Sequence, residues 1–171
     1  MDFKYLVTAT RPRIYLLWAV LVPVGFVATN FYQRHAINAL WTVIAIIGLG
    51  YMLRVMPLRQ VSQMRRIFGA WLMPIVLGLV VSGVVFYVHT AAAGNLIGHL
   101  GAFWLGVMAV GYLLNGLADS PGHWYFYNVA INAVFCVLCF TVTAFVPVQY
   151  LVAAIVSGWS MLNLWLLRAD S

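Results

Sequence analysis

FGAWLMPIVLGLVVSGVVFYVH, residues 68–89, contains no charged side chain. A membrane-crossing helix needs about 20 mostly apolar residues, because the hydrocarbon core is about 30 Å thick and each helical residue rises about 1.5 Å. This run meets that requirement. It is continuous rather than alternating, which excludes a strand of a membrane β-barrel. Five further segments qualify on the same grounds: 13–32, 37–56, 96–118, 122–146 and 149–167. Pro57, Gly94-Asn95, Ser120-Pro121 and Pro147 punctuate the short connections between them.

The composition agrees. Of 171 residues, 65% are hydrophobic and 7% charged, with no Glu and a single Lys. A soluble domain is nearer a quarter charged, so this chain cannot clothe a folded surface in polar groups. The expected fold is an all-α membrane protein, a bundle of six transmembrane helices forming one polytopic domain over residues 1–171. Lys4, Arg11 and Arg13 before an apolar run imitate a secretion signal. Phe26, however, occupies the position ahead of Ala28 where cleavage wants a small residue, so the run reads as a first span.

The net charge of +6 reads as topology. With the N-terminus inside, Lys4, Arg11, Arg13, Arg54, Arg59, Arg65, Arg66 and Arg168 are all cytoplasmic, and Arg34 alone lies outside. The positive-inside rule therefore predicts that both termini are cytoplasmic. The expected location is a prokaryotic cytoplasmic membrane. The loop 54–69 predicts a short interfacial helix, with Leu58, Val61, Met64 and Phe68 near helical spacing. Arg59, Arg65 and Arg66 there suit anionic lipid, each contributing about 1 kcal/mol. The basic segments lack the aromatic interleaving of a nucleic-acid binder.

Two hairpins look alike. RIYLLW at 13–18 resembles RIFGAW at 66–71, and Trp41 with Gly50-Tyr51 parallels Trp104 with Gly111-Tyr112. These matches outline a parallel two-helix repeat over 13–56 and 66–115, whose drifting offsets require gaps. On the fourth span, Gly98, Ala102, Gly106 and Ala109 share one side, as Gly78 and Ser82 do on the third. Small residues there admit a close helix, from this chain, a second copy or another membrane subunit.

Polar residues concentrate elsewhere. Asn128, Asn132, Cys136, Cys139 and Thr143 recur at helical spacing on the fifth span. Carboxamides facing lipid are costly, so this stripe should look into the bundle, as interhelical hydrogen bonding or as a polar lining. Cys136-Val137-Leu138-Cys139 resembles the redox pair of quinone-linked membrane disulfide oxidases over those four residues. Those enzymes use a second pair, and this chain has only two Cys. The thiols therefore read as packed side chains. His35, His89 and His99 lie at outer helix ends, as metal ligands or as interfacial groups, and neither spacing nor an accompanying acid favours a metal. The sequence names no cofactor. Phosphate loops, zinc-protease and serine-hydrolase motifs are absent.

NGLADSPGHWYFYN, residues 115–128, is the remaining focus. Asp119 is the only acid between Asp2 and Asp170. As a turn, the stretch has Ser120 as N-cap, Pro121 at the first helical position and an aromatic belt in Trp124, Tyr125 and Tyr127. As a ligand-binding site, Asn115 and Asp119 share a face, His123 follows, and Asn128 leads to Asn132. The expected function is binding or translocation of a small or lipid-like molecule through the bundle. The alternative is an accessory subunit of a larger membrane complex, and an enzyme using Asp119 and His123 is a third reading.

Overall fold

The computed structural model describes residues 3–32, 36–58, 62–87, 91–119 and 123–169. Every element is helical: α1 (Phe3–Phe31), α2 (Ala36–Val55), α3 (Ser62–Tyr87), α4 (Ala91–Gly98), α5 (Leu100–Ala118), α6 (His123–Thr141), a 3-10 segment (Thr143–Val148) and α7 (Gln149–Ala169). Six stretches are long and apolar enough to cross a membrane: Pro12–Phe31, Ile37–Val55, Ser62–Tyr87, Leu100–Ala118, His123–Thr141 and Thr143–Leu167.

The boundaries differ from the sequence expectation at three places. Residues 62–69 are the first turns of α3 rather than a separate interfacial helix. The fourth segment is broken at His99, whose φ of −124° and ψ of 24° interrupt the helical backbone between α4 and α5. Gln149 spans the break: its Nε2 donates to the Gly98 carbonyl at 2.5 Å and its Oε1 accepts from the Ala102 N–H at 3.2 Å. Those are groups that a helix end leaves unmet. The fifth segment stops at Thr141, where Val142 turns extended with φ of −105° and ψ of 109°, and Pro147 falls in the 3-10 segment that follows.

The spans form a closed ring. α1 packs on α2 and most extensively on α7; α2 meets α3, α3 meets α5, α5 meets α6, and α6 meets α7. α5 also touches α7 across the ring. Accordingly 61% of α5 is buried inside the protein, against 22% of α6. α5 is the hub, and α6 turns one narrow face inward.

Close approach is achieved by tryptophan on glycine. Within the first hairpin, the Trp18 ring lies on Gly48, and Trp41 would stand 2.8 Å from a Cβ at Gly25. The second hairpin repeats the exchange: Trp71 and Trp104 each stand 2.7 Å from the Cβ that Gly111 and Gly78 lack. Trp41 and Trp104 stack with centroids 5.5 Å apart. Along the first helix of each hairpin, Trp18, Val22 and Phe26 correspond in spacing to Trp71, Ile75 and Leu79. All six line one central gap of about 30 Å³. A void of that size admits a water but offers it no polar partner, so it is a dry packing defect.

Candidate functional site

Asp119 follows the last residue of α5. Its backbone is extended and its N–H closes on the Asn115 carbonyl at 2.8 Å. That turn tucks the carboxylate under the bundle, where it is 6% exposed. Oδ1 accepts from Gln63 Nε2 of α3 at 2.7 Å, and Oδ2 accepts from the Tyr125 hydroxyl of α6 at 3.1 Å. The Tyr125 hydroxyl also hydrogen-bonds the Tyr15 hydroxyl of α1. One acid thus ties four helices together. Hydrogen bonds to a charged group in so enclosed a place are worth about 1.5–3 kcal/mol each.

His123 does not join this arrangement. Its side chain is exposed and rests against Trp124, ring centroids 4.3 Å apart. The expected partnership of Asp119 with His123 is replaced by Gln63 and Tyr125. Tyr125 also leaves the expected aromatic belt: Trp124 and Tyr127 are exposed at 36% and 53%, whereas Tyr125 is fully buried. The 100° step per residue of a helix separates them. Ser120 and Pro121, the expected cap and first residue of α6, lie outside the described residues.

Above Asp119 the interior carries a ladder of carboxamides. Asn115 and Tyr112 sit one and two turns back from Asp119 on α5. Asn128 and Asn132 succeed Tyr125 on the facing side of α6. All four are fully buried. Asn115 Nδ2 donates to the Gly111 carbonyl at 2.7 Å. Asn128 Nδ2 donates to the Ser160 carbonyl of α7 at 3.2 Å. Asn132 Nδ2 donates to the Asn128 carbonyl at 2.8 Å and to Ser160 Oγ at 2.9 Å.

These bonds engage each amide nitrogen and leave the oxygens. Oδ1 of Asn115, Asn128 and Asn132 meets no hydrogen-bond donor among the described residues. The Tyr112 hydroxyl lies beside Ser160, but without the geometry of a hydrogen bond. An unmet buried polar group costs about 1–3 kcal/mol. Four on adjacent turns amount to a concentrated demand for a donor or a cation.

Of the five expected site residues, Asn115, Asp119, Asn128 and Asn132 are buried, Asn128 and Asn132 are joined by a hydrogen bond, and His123 is exposed. Sequence reasoning missed Tyr15, Gln63, Tyr112 and Ser160. Tyr112 had a legible signal, since it falls on the Asn115–Asp119 face of its helix. The other three arrive from distant helices.

Other expected features are placed as follows. Gly98 belongs to α4, so the small-residue side of α5 begins at Ala102; Gly106 faces Cys136 of α6 at 3.4 Å from where a Cβ would be. Cys136 is partly buried, Cys139 fully so, and both are free thiols. Thr143 is exposed on the 3-10 segment. The His99 ring stacks on Phe140 at 5.3 Å, whereas His35 and His89 lie outside the described residues. Among the described residues no three His, Cys, Asp or Glu side chains gather as metal ligands. On the outer face, α5 is recessed between α3 and α6, leaving an apolar groove of about 360 Å³ lined by Met73, Leu77, Val110 and Phe140. Comparison of the chain with known protein families, curated proteins and solved structures finds no match.

Proposed function

We propose that this protein is an integral protein of a prokaryotic cytoplasmic membrane that binds or translocates a small polar molecule or ion along the ladder from Asp119 to Asn132. The observation that carries the reading is the set of three buried carboxamide oxygens without donors, on facing turns of α5 and α6. Packing accounts for Asn side chains that donate to neighbouring backbone, but it gives no reason for three of them to leave a buried acceptor unmet. In this reading the positive-inside bias puts both termini, and the Asp119 end of the ladder, on the cytoplasmic side. Arg13, Arg54, Arg65 and Arg66 are exposed at that end and support attachment to anionic lipid headgroups. Arg59 would join them from outside the described residues.

The test is native mass spectrometry of the protein extracted from its own membrane, alongside Asn132→Leu. The expected outcome is a retained small ligand that the variant loses while its helical content and melting temperature hold. A bare parent protein, or equal retention by the variant, would remove the ladder from the function. The outward groove on α3, α5 and α6 favours the second reading, an accessory subunit. Stoichiometric recovery of other membrane chains in the same experiment would support it.

A further inference from the structure

We propose that the ligand of the ladder is a dehydrated alkali-metal cation, held by the side-chain oxygens of Asn115, Asn128 and Asn132 with the Tyr112 and Ser160 hydroxyls, and admitted past Asp119. This rests on the reading above and names its ligand class.

The donor chemistry selects the class. Every group offered is a hard oxygen: carboxamide, phenol, alcohol and one carboxylate. Zinc and copper prefer imidazole and thiolate, which the ladder lacks. Magnesium and calcium call for several carboxylates, or for retained water in the magnesium case. Asp119 is the one acid at the ladder among the described residues. Neutral carbonyl oxygens are the groups that replace the hydration shell of sodium or potassium at membrane depth.

Burial selects the state of the ion. Asn115, Asn128 and Asn132 are each 0% exposed. Whatever reaches them leaves its bulk water behind, and the oxygens must substitute for that shell. The amide nitrogens are already committed to Gly111, Asn128 and Ser160. The oxygens are thereby left as acceptors, the chemistry that a cation needs.

Position selects the role. Asp119 marks the interfacial end of the ladder. Tyr112 lies roughly 10 Å further along α5, and Asn132 roughly 13 Å along α6, close to the middle of a core about 30 Å thick. Beyond Asn132 the same face of α6 continues with the thiols Cys136 and Cys139. The ladder therefore leads from one side to a mid-membrane resting place, as a binding site with one-sided entry does, and it is not a continuous pore.

The experiment titrates the detergent-purified full chain with sodium chloride and with potassium chloride against choline chloride at constant ionic strength, following thermal unfolding. Asn115→Leu is run in parallel, since it removes one oxygen at nearly constant volume. Ile155→Ala, at a side chain 72% exposed, serves as a surface control. The expected result is a saturable rise in melting temperature with sodium or potassium and none with choline. The apparent affinity should fall about tenfold or more in Asn115→Leu, as for loss of one good ligand, and stay unchanged in Ile155→Ala. Equal behaviour of all three salts, or an undiminished response in Asn115→Leu, overturns the cation, and water then fills the ladder. If native mass spectrometry nonetheless finds an organic solute that depends on Asn132, the binding reading survives without the cation. If neither ion nor solute is found, both fall.

Discussion

Gln63 and Asp119 meet at 2.7 Å, the first turn of α3 reaching the carboxylate beyond the last turn of α5. The bond crosses from one helix to its neighbour at the same end of the bundle where Tyr125 and Tyr15 complete the network. It makes Asp119 a structural clasp, a role that can be separated from the one proposed for it at the mouth of the ladder.

Gln63→Ala should destabilise the protein by about 1.5–3 kcal/mol, the worth of a hydrogen bond to a charged group. Asp119→Asn keeps an oxygen for Tyr125 and loses the charge, so it should cost less in stability and more in ligand affinity. Denaturation in mixed detergent micelles, with ligand binding measured on the same samples, checks both.

The tyrosine pair should be coupled. Tyr15→Phe and Tyr125→Phe each cut the chain of hydroxyls between α1 and Asp119. Once one is gone, removing the other should cost less. A double-mutant cycle should return an interaction energy of at least about 0.5 kcal/mol. Additive losses would mean that the two hydroxyls act independently.

The tryptophan seats give a prediction with internal controls. Gly48→Ala and Gly111→Ala drive a methyl group into an indole and should destabilise by about 1–3 kcal/mol each. Gly50→Ala and Gly69→Ala meet nothing within 4 Å. They should be neutral or stabilising by about 0.5–1 kcal/mol through helix propensity. Trp71→Phe should recover part of the Gly111→Ala loss, read as melting temperature in detergent.

Asn115→Leu should leave the stability of the ligand-free protein within about 1 kcal/mol of the parent, because an unmet carboxamide oxygen leaves the interior with it. A buried Asn that served packing alone would cost more on removal. Chemical denaturation in choline medium measures the difference directly.

Gln149→Ala should loosen the junction of α4 and α5 by about 1–3 kcal/mol, since the Ala102 N–H loses its acceptor in a buried place. Amide exchange should rise at Ala102 and Phe103 ahead of the rest of α5.

Much of this architecture was legible in the amino-acid order. Runs such as residues 68–89 can be stable only as membrane-length helices, because lipid offers no hydrogen bonds to any other backbone. Apolar length therefore revealed six helices long and apolar enough to cross a membrane. The costs of burying carboxamides put Asn128 and Asn132 inside, and a four-residue spacing put Asn115 and Asp119 on one face. What escaped the sequence was decided between helices. The partner of Asp119 proved to be Gln63 rather than nearby His123, because the turn after Ala118 carries the carboxylate inward while the first residue of α6 faces out. The break at His99 depends on Gln149, which only the fold delivers to it. Ser160 reaches the ladder because α7 closes the ring. Local order dictates helices and their inward faces through solvation and periodicity. Which inward groups meet, and which oxygens are left over, is set by the rotation and register of helices against one another, and those emerge only when all six pack together.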